Sequence, residues 1–206
     1  MELVKEVCVE SFDEALRAVR AGANRIELCE NLCVGGTTPS FGTIKMCLEK
    51  LSVPVMVMIR PRGGNFHYTA DEFEIMQQDI LQCKNLGADG VVFGLLDEKG
   101  HIDEVRTKLL VQCSRPMQVT FHKAIDEAKN ILDCVAFLKE IRVERILSSG
   151  GEKTALEGQW VINQMIELGA PHVTIIAAGK VTTENFEEVR SLIPSGDYHG
   201  RRLVAF

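Results

Sequence analysis

The feature that most constrains this chain is a repeated alternation of two kinds of segment along its length. Short runs rich in β-branched residues predict strands, and each is followed by a longer segment whose apolar residues recur at helical spacing. Because helices connect successive strands, the strands must pair in parallel through right-handed crossovers. The predicted strands cover residues 3–10, 25–30, 53–60, 90–94, 116–121, 144–149 and 172–179. The predicted helices cover residues 11–22, 41–51, 71–87, 103–113, 131–141, 155–169 and 182–193.

Two α/β architectures contain such units, an open doubly wound sheet and a closed barrel. The number of strand–helix pairs favours a TIM-type (β/α) barrel with parallel strands. An eighth strand is predicted within residues 197–206, and no helix is predicted after it, so it stays open whether the eighth β-α unit is complete. The chain of 206 residues contains no linker or low-complexity tract, which predicts a single barrel domain over residues 1–206.

Composition argues against several classes of function. A net charge of -6 and an aromatic content of 6%, without a basic stripe, make nucleic acid an improbable partner. The N-terminus lacks a basic region followed by an apolar run, and no window is long and apolar enough to span a membrane. The seven cysteines are odd in number and scattered, which is typical of reduced thiols. We therefore expect a cytoplasmic protein that binds neither nucleic acid nor a membrane.

Side-chain alternation along the strands separates an apolar face from a mixed face. The apolar face should point at the helices, so the mixed face should line the barrel interior. That interior would hold Glu6, Cys8, Glu10, Glu27, Cys29, Met56, Met58, Arg60, Gln118, Thr120 and His122. Buried charges are costly unless they are paired or bound to a ligand. The polar members near the C-terminal strand ends are therefore candidates for a site, since TIM barrels carry their chemistry there.

The candidate catalytic residues are Glu10, Glu27, Arg60, His122 and Asp126. His122 could act as a general base or a ligand, with Asp126 orienting it. The alternatives are that His122 is structural and that Glu27 and Arg60 form a satisfied ion pair.

The glycine-rich loops after the last strands predict an anion site. Backbone amides there could cradle a phosphate or carboxylate, and a guanidinium could bind it by paired hydrogen bonds. The candidate anion-binding residues are Arg62, Ser149, Gly150, Gly151 and Gly179. The alternative is that the glycines serve only tight turns.

Soft ligands in the predicted interior indicate a possible copper site. Cys8 and Cys29 lie on adjacent strands, which are about 4.8 Å apart in a sheet, so both could bind one Cu(I) ion. The alternative is that the two thiols are inert core residues. The chain has no C-x-x-C motif of the kind that copper chaperones use.

Several motifs together resemble the CutC family, which is associated with copper homeostasis. They are EVCVES, RIELC, GGTTPS, MIRPRGG, TFHKAID and DYHG, and they follow one another in order over nearly the whole chain. The resemblance implies a TIM-type barrel, a cytoplasmic location, a role in copper handling and a homo-oligomer. It also implies copper ligands at Cys29 in RIELC and Cys8 in EVCVE, and it brings no accepted catalytic reaction.

The chain departs from the family pattern after DYHG. Family members continue into another strand–helix unit, whereas here RRLVAF follows. This leaves open the closure of the barrel and the role of any site residue on strand 8, such as His199. Two functions remain: a copper-homeostasis protein that binds Cu(I) through strand cysteines, or a barrel enzyme acting on a small phosphate or carboxylate substrate.

Overall fold

Eight parallel strands close into a barrel in this computed structural model, which describes residues 3–206. The strands are β1 Val4–Val9, β2 Arg25–Leu28, β3 Val55–Met58, β4 Gly90–Phe93, β5 Gln118–Phe121, β6 Arg145–Ser148, β7 Thr174–Ala177 and β8 Asp197–His199. The helices are α1 Phe12–Arg20, α2 Phe41–Lys50, α3 Ala70–Leu86, α4 Glu104–Ser114, α5 Ile131–Glu140, α6 Gln159–Gly169 and α7 Phe186–Leu192. Short 3-10 turns at Leu32–Val34 and Lys123–Glu127 lie in the loops after β2 and β5. None of the described helices is long and apolar enough to cross a membrane.

The eighth strand settles the question of closure. Although β8 has three residues, it pairs in parallel with both of its neighbours. On one side Glu6 of β1 is in register with His199, and on the other Ala177 of β7 is in register with Tyr198. The TIM-type barrel is therefore confirmed and the open sheet is wrong. No helix follows β8 within residues 3–206; instead Arg202 bridges to Thr182 in the loop after β7.

The two faces of the strands separate as the alternation predicts. Apolar residues such as Val7 and Val57 belong to the main core, together with helix residues such as Ile80. A separate buried cluster inside the barrel contains Cys29, Met56, Met58 and Val92. Burying one large apolar side chain contributes about 1.5–3 kcal/mol. Most of the buried apolar side chains belong to the main core between strands and helices, so this layer supplies most of the hydrophobic stabilisation. The interior layer is left for polar groups.

Helix α3 shows how local sequence positions a loop at the C-terminal end of the barrel. It begins with a reciprocal capping box, in which the Thr69 hydroxyl accepts from the Glu72 amide and the Glu72 carboxylate accepts from the Thr69 amide. It ends at Gly87, whose φ of 76° is left-handed and so favours glycine. The Glu72 carboxylate also binds Arg62, so the cap fixes the loop that precedes the helix.

Candidate functional site

Three potential metal ligands converge inside the barrel where the first, second and last strands meet. They are Cys8 on β1, Glu27 on β2 and His199 on β8, and their ligand atoms all lie within 4.8 Å of one another. All three residues are buried. Strand β1 lies between β2 and β8, and its register places Cys8 opposite Glu27 and Glu6 opposite His199. The juxtaposition is therefore a direct result of barrel closure.

A carboxylate beneath the cluster orients the histidine. The Nδ1 atom of His199 lies 2.9 Å from Glu6 Oε1, and its Nε2 atom faces Glu27 Oε2 at 3.8 Å. Arg25 binds the Glu6 carboxylate and also donates to Asp197 Oδ2 at 2.6 Å. Burial alone would raise the pKa of Glu6, but Arg25 and His199 lower it to about 2. A charged carboxylate on the second ring nitrogen is the usual support of a metal-binding histidine.

The electrostatics of the cluster reflect its burial. Burial raises the pKa of Glu27, and its Oε1 atom has no hydrogen-bond partner within residues 3–206. Burial would lower the pKa of His199, but Cys8 and Glu27 hold it well above its ordinary value. Burial, together with Glu27, raises the pKa of the Cys29 thiol. A metal cation would favour the deprotonated form of every one of these groups, since it needs their lone pairs.

The predicted cysteine pair is only partly brought together. Because Glu27 is the residue opposite Cys8, Cys29 lies two residues further along the chain, just past the end of β2, and outside the three-ligand group. Its Sγ atom is 3.5 Å from Glu27 Oε2, at the edge of the cluster. His199 was named as a strand-8 residue in DYHG but not among the predicted ligands. His199 could have been predicted as a ligand only by placing the DYHG motif on a strand that closes the barrel beside β1.

The two Nη atoms of Arg60 are engaged by backbone carbonyls and are not free for an anion. Arg60 lies at the end of β3, buried, and both Nη1 hydrogens go to backbone carbonyls, of Val34 and Gly36, at 2.9 Å each. Its Nη2 donates to the carbonyl of Gly64 at 2.7 Å. The ion pair with Glu27, which was the alternative interpretation, is absent from the contacts of residues 3–206. Arg60 instead joins the loops after β2 and β3, because their carbonyls have no strand partners there.

Arg62 is likewise engaged by its own loop. Its Nε donates to Glu72 Oε1 at 2.5 Å, and its Nη atoms donate to the carbonyls of Asn65 and His67 at 2.9 and 2.7 Å. The anionic partner of Arg62 in this structure is therefore the capping carboxylate of α3, and these contacts do not favour the predicted role in binding an external anion.

The predicted anion cradle exists, but it is filled by the chain itself. The amides of Ser149 and Gly151 donate to the Asp126 carboxylate at 3.0–3.1 Å, and the Ser148 hydroxyl donates to it at 2.5 Å. The Gly150 amide donates to the Ser148 hydroxyl, and Lys123 pairs with Asp126 at 2.6 Å. Burial would raise the pKa of Asp126, but Lys123 and these donors lower it. Asp126 therefore holds the loop after β6 and does not orient His122.

His122 is buried at the end of β5 and is neutral. Burial, reinforced by the nearby charge of Arg60, lowers its pKa to about 3. The Ala124 amide donates to its Nδ1 at 3.2 Å, so the ring proton resides on Nε2, which has no hydrogen-bond partner within residues 3–206. A general base is most effective with a pKa near the working pH. The arrangement therefore supports a hydrogen-bond donor and disfavours the predicted base.

The two remaining predicted residues lie at the rim. Glu10 accepts a hydrogen bond from the Leu32 amide at 2.7 Å and one from Arg201 at 3.1 Å, which ties the loops after β2 and β8 together. Gly179 has a φ of 100° and lines a cavity of about 510 Å³ that also reaches Cys8 and His199. The cluster of ligands is thus accessible from the C-terminal face of the barrel.

These features define a TIM-type barrel with a candidate metal site of thiol, imidazole and carboxylate groups. The CutC family model matches residues 3–201, so the chain belongs to the CutC family of copper homeostasis proteins. The copper homeostasis protein cutC homolog of Mus musculus is 42% identical over 194 residues, which are 94% of this chain and 71% of that protein. The family protein CutC of Enterococcus faecalis is 40% identical, over 98% of this chain and all of its own length. The crystal structure of CutC from Streptococcus agalactiae matches with a TM-score of 0.92 and 33% identity, over 98% of this chain and 100% of that one.

Proposed function

We propose that this protein handles copper by binding one Cu(I) ion inside the barrel, with Cys8 and His199 as its principal ligands. The observation that carries the proposal is the convergence of Cys8, Glu27 and His199 within 4.8 Å. Cys29 stands beside Glu27 and could supply a second thiolate. Copper is here a cargo, which agrees with the homeostasis role of the family.

The donor set fits this ion by its chemistry. Thiolate and imidazole are the ligands that Cu(I) prefers, and Cys8 and His199 supply one of each. The Glu27 carboxylate is the exception, because thiolate, imidazole and carboxylate together also suit Zn²⁺. A test of the proposal must therefore compare the two metals.

The test is a titration of the reduced, metal-free protein with Cu(I) and, separately, Zn²⁺, each against a competing chelator. We expect one Cu(I) per chain, with affinity strongly reduced in Cys8→Ser and in His199→Gln and lost in the Cys8→Ser, Cys29→Ser double variant. Cys113→Ser changes a half-buried thiol on α4 and is the matched control, expected to bind as the wild type does. Equal Cu(I) affinity in the wild type and the double variant would refute the assignment of the ligands. Tighter binding of Zn²⁺ than of Cu(I) would mean that the cargo is zinc and not copper.

We also propose that the protein is cytoplasmic and forms a homo-oligomer, as the family resemblance implies. Light scattering after size exclusion tests the second point, and fractionation of the source cells tests the first. A monomer at micromolar concentration would contradict the oligomer.

A second candidate function, an enzyme acting on a small anionic substrate, is supported by a different group of residues. Three buried donors at the C-terminal end have no partner within residues 3–206: Arg60 Nε, the Tyr68 hydroxyl and His122 Nε2. The Phe66 ring packs against both the guanidinium of Arg60 and the ring of His122, at 4.9 Å in each case. Arg60 is also close enough to Tyr68 to oppose the rise that burial causes in the pKa of its hydroxyl. Unpaired buried donors cost about 1–3 kcal/mol each, and an oxygen acceptor would offset that cost.

Calorimetric titration with inorganic phosphate and with small carboxylates tests this second function. We expect binding that weakens in His122→Phe and Tyr68→Phe, which remove one donor each while Arg60 keeps the loops in place. His101→Asn alters an exposed histidine and serves as the control. If no anion binds the wild type, or if both variants bind as it does, this function is excluded.

A further inference from the structure

The cavity above the metal cluster is far larger than a metal ion requires. Its volume is about 510 Å³, which falls in the range of roughly 300–1,000 Å³ typical of small-molecule sites. Cys8 and His199 form part of its lining, so a molecule in the cavity would touch the proposed metal ligands. Space of this size over a one-ion site is sufficient for a small organic molecule beside the metal.

The side chains that line the cavity carry positive charge, whereas an entrance for a free metal cation needs negative charge. Four cationic side chains line the cavity, Lys123, Lys180, Arg201 and Arg202, and none of the described lining residues carries a carboxylate. Lys123 is neutralised by Asp126, and Arg201 by Glu10. Lys180 and Arg202 form no ion pair within residues 3–206. A bare metal ion would be repelled by this entrance, whereas an anionic complex would be attracted.

The backbone holds these two cations on one wall. Lys180 has a φ of 54°, a left-handed conformation that is uncommon for a lysine, and follows Gly179 at φ 100°. Gly200 approaches the neighbouring loop so closely that a Cβ atom would lie 2.1 Å from the carbonyl of Val181. The Thr183 amide donates to the carbonyl of Arg202 at 2.9 Å, which joins the loops after β7 and β8. Strain of this kind persists where the surrounding structure enforces it, and it is concentrated at functional sites.

We propose that the cavity binds a small thiol bearing carboxylates, in its Cu(I) complex, and that Lys180 and Arg202 bind its carboxylates while its sulfur faces Cys8. This inference rests on the proposed function, since it names the form in which the cargo reaches the site. In the transfer the bond from copper to the carrier sulfur breaks as the bond from copper to Cys8 Sγ forms. Copper remains Cu(I), no electron is transferred, and the proton of the Cys8 thiol leaves on the carrier sulfur.

The experiment compares two donors of the same ion. Cu(I) is offered to the reduced protein as its complex with mercaptosuccinate, a dicarboxylate thiol, or with 2-mercaptoethanol, a neutral one. Transfer is followed by rapid desalting and copper analysis of the protein fraction. The measured quantity is the transfer rate from the mercaptosuccinate complex divided by the transfer rate from the 2-mercaptoethanol complex. A general loss of protein quality lowers both rates equally and leaves this ratio unchanged. We expect this ratio to fall about tenfold or more in a Lys180→Ala, Arg202→Ala variant, and the wild-type ratio to fall as salt is added.

Two further variants make the result specific. Arg20→Ala, Lys108→Ala removes the same net charge from exposed positions on α1 and α4, and should keep the wild-type ratio. Lys180→Arg, Arg202→Lys exchanges the two cations without loss of charge. This variant should also keep most of the wild-type ratio. An unchanged ratio in the Lys180→Ala, Arg202→Ala variant, or an equal fall in the surface control, would overturn the inference.

The equilibrium Cu(I) titration separates this inference from the proposed function. If the wild type binds no Cu(I) from a neutral chelator, the proposed function itself fails. If it binds Cu(I) tightly but takes it from both donors in a ratio that the cavity cations do not influence, only the anionic carrier is wrong.

Discussion

Charged residues at the C-terminal end of the barrel are satisfied in two distinct ways. Arg60 and Asp126 bind backbone carbonyls and amides of the loops around them, whereas Glu27 and His199 face one another and Cys8. The first arrangement uses the charge to hold irregular backbone that has no strand partner. The second leaves lone pairs directed at a common point, which is the arrangement a metal ion can use.

His122 makes a testable contribution to the pH dependence of stability. Its pKa is about 3 when folded and 6.5 when free, so below pH 6.5 the unfolded chain binds a proton that the folded chain does not. The free energy of unfolding should therefore fall by up to about 1.4 kcal/mol per pH unit as the pH is lowered from 6.5 towards 3. Urea unfolding at pH 4, 5, 6 and 7 should show a shallower dependence in His122→Asn than in the wild type.

The exposed histidine at position 172 provides the control for this experiment. His172→Asn lies in the loop before β7 and should follow the wild-type profile. Parallel profiles for His122→Asn and the wild type would show that His122 does not stay neutral in the folded chain.

At this scale the sequence predicts which residue types face the interior but not what they bind. Alternation in β1 and β2 was sufficient to place Cys8, Glu27 and Cys29 inside the barrel. The partners of Arg60 and Asp126 include backbone groups of loops, and no periodicity describes loops. The neutral state of His122 depends on burial and on the nearby charge of Arg60, which are properties of the folded chain.

Among the elements, the register between strands decides which residues meet. The predicted site paired Cys8 with Cys29, but β1 and β2 align Cys8 with Glu27. Interior positions along a strand are two residues apart, so a shift by one interior position exchanges a carboxylate for a thiol without changing the hydrophobic pattern. The bounds of β8 could not be predicted closely from the sequence for a different reason. The strand has three residues, of which one, Tyr198, is apolar, and this is too few to show an alternating pattern.

The loop after β6 should depend strongly on Asp126. Asp126→Asn keeps the size of the side chain but removes the charge that accepts from Ser148, Ser149 and Gly151 and pairs with Lys123. Each charge-assisted hydrogen bond contributes about 1.5–3 kcal/mol, and an amide retains part of this set, so we expect a loss of about 1–3 kcal/mol. Chemical denaturation measures it. Asp13→Asn, in an exposed pair on α1, should change stability by no more than about 0.5 kcal/mol; similar losses in the two variants would contradict the role given to Asp126.

Closure between β1 and β8 should depend on Arg25. Its guanidinium binds Glu6 and Asp197. In Arg25→Ala the partly buried Asp197 would lose this ion pair, and the buried Glu6 would keep only His199 as a partner. Breaking a buried pair in this way costs about 3–5 kcal/mol, measured as a lower denaturant midpoint. Arg17→Ala removes an exposed arginine of α1 and should cost no more than about 1 kcal/mol. A small effect of Arg25→Ala would mean that the strand pairing itself carries the closure.

For the whole molecule, the prediction of one domain over residues 1–206 leads to a single cooperative transition. A closed barrel leaves every strand paired on both sides, so losing one strand exposes two others. Far-ultraviolet and near-ultraviolet circular dichroism should therefore report the same thermal midpoint, and the calorimetric and van't Hoff enthalpies should agree. Two separated transitions would show that part of the barrel unfolds independently.

The architecture was predictable because strand–helix alternation allows few arrangements. The choice between open and closed sheet depended on a contact between the first and last strands, which is the most distant pairing in the chain. The candidate metal site lies at that same seam, which is why the sequence reached Cys8 and Glu27 but not their third partner, His199.

The position of this seam has a consequence for the order of events during protein synthesis. Cys8 is synthesised with β1, whereas His199 is synthesised with β8, after the seven preceding strands. A site that requires both residues is not complete until β8 has been made and has paired with β1. A ligand that needed both residues would therefore bind only after β1 and β8 have paired, and would distinguish closed barrels from unfinished ones.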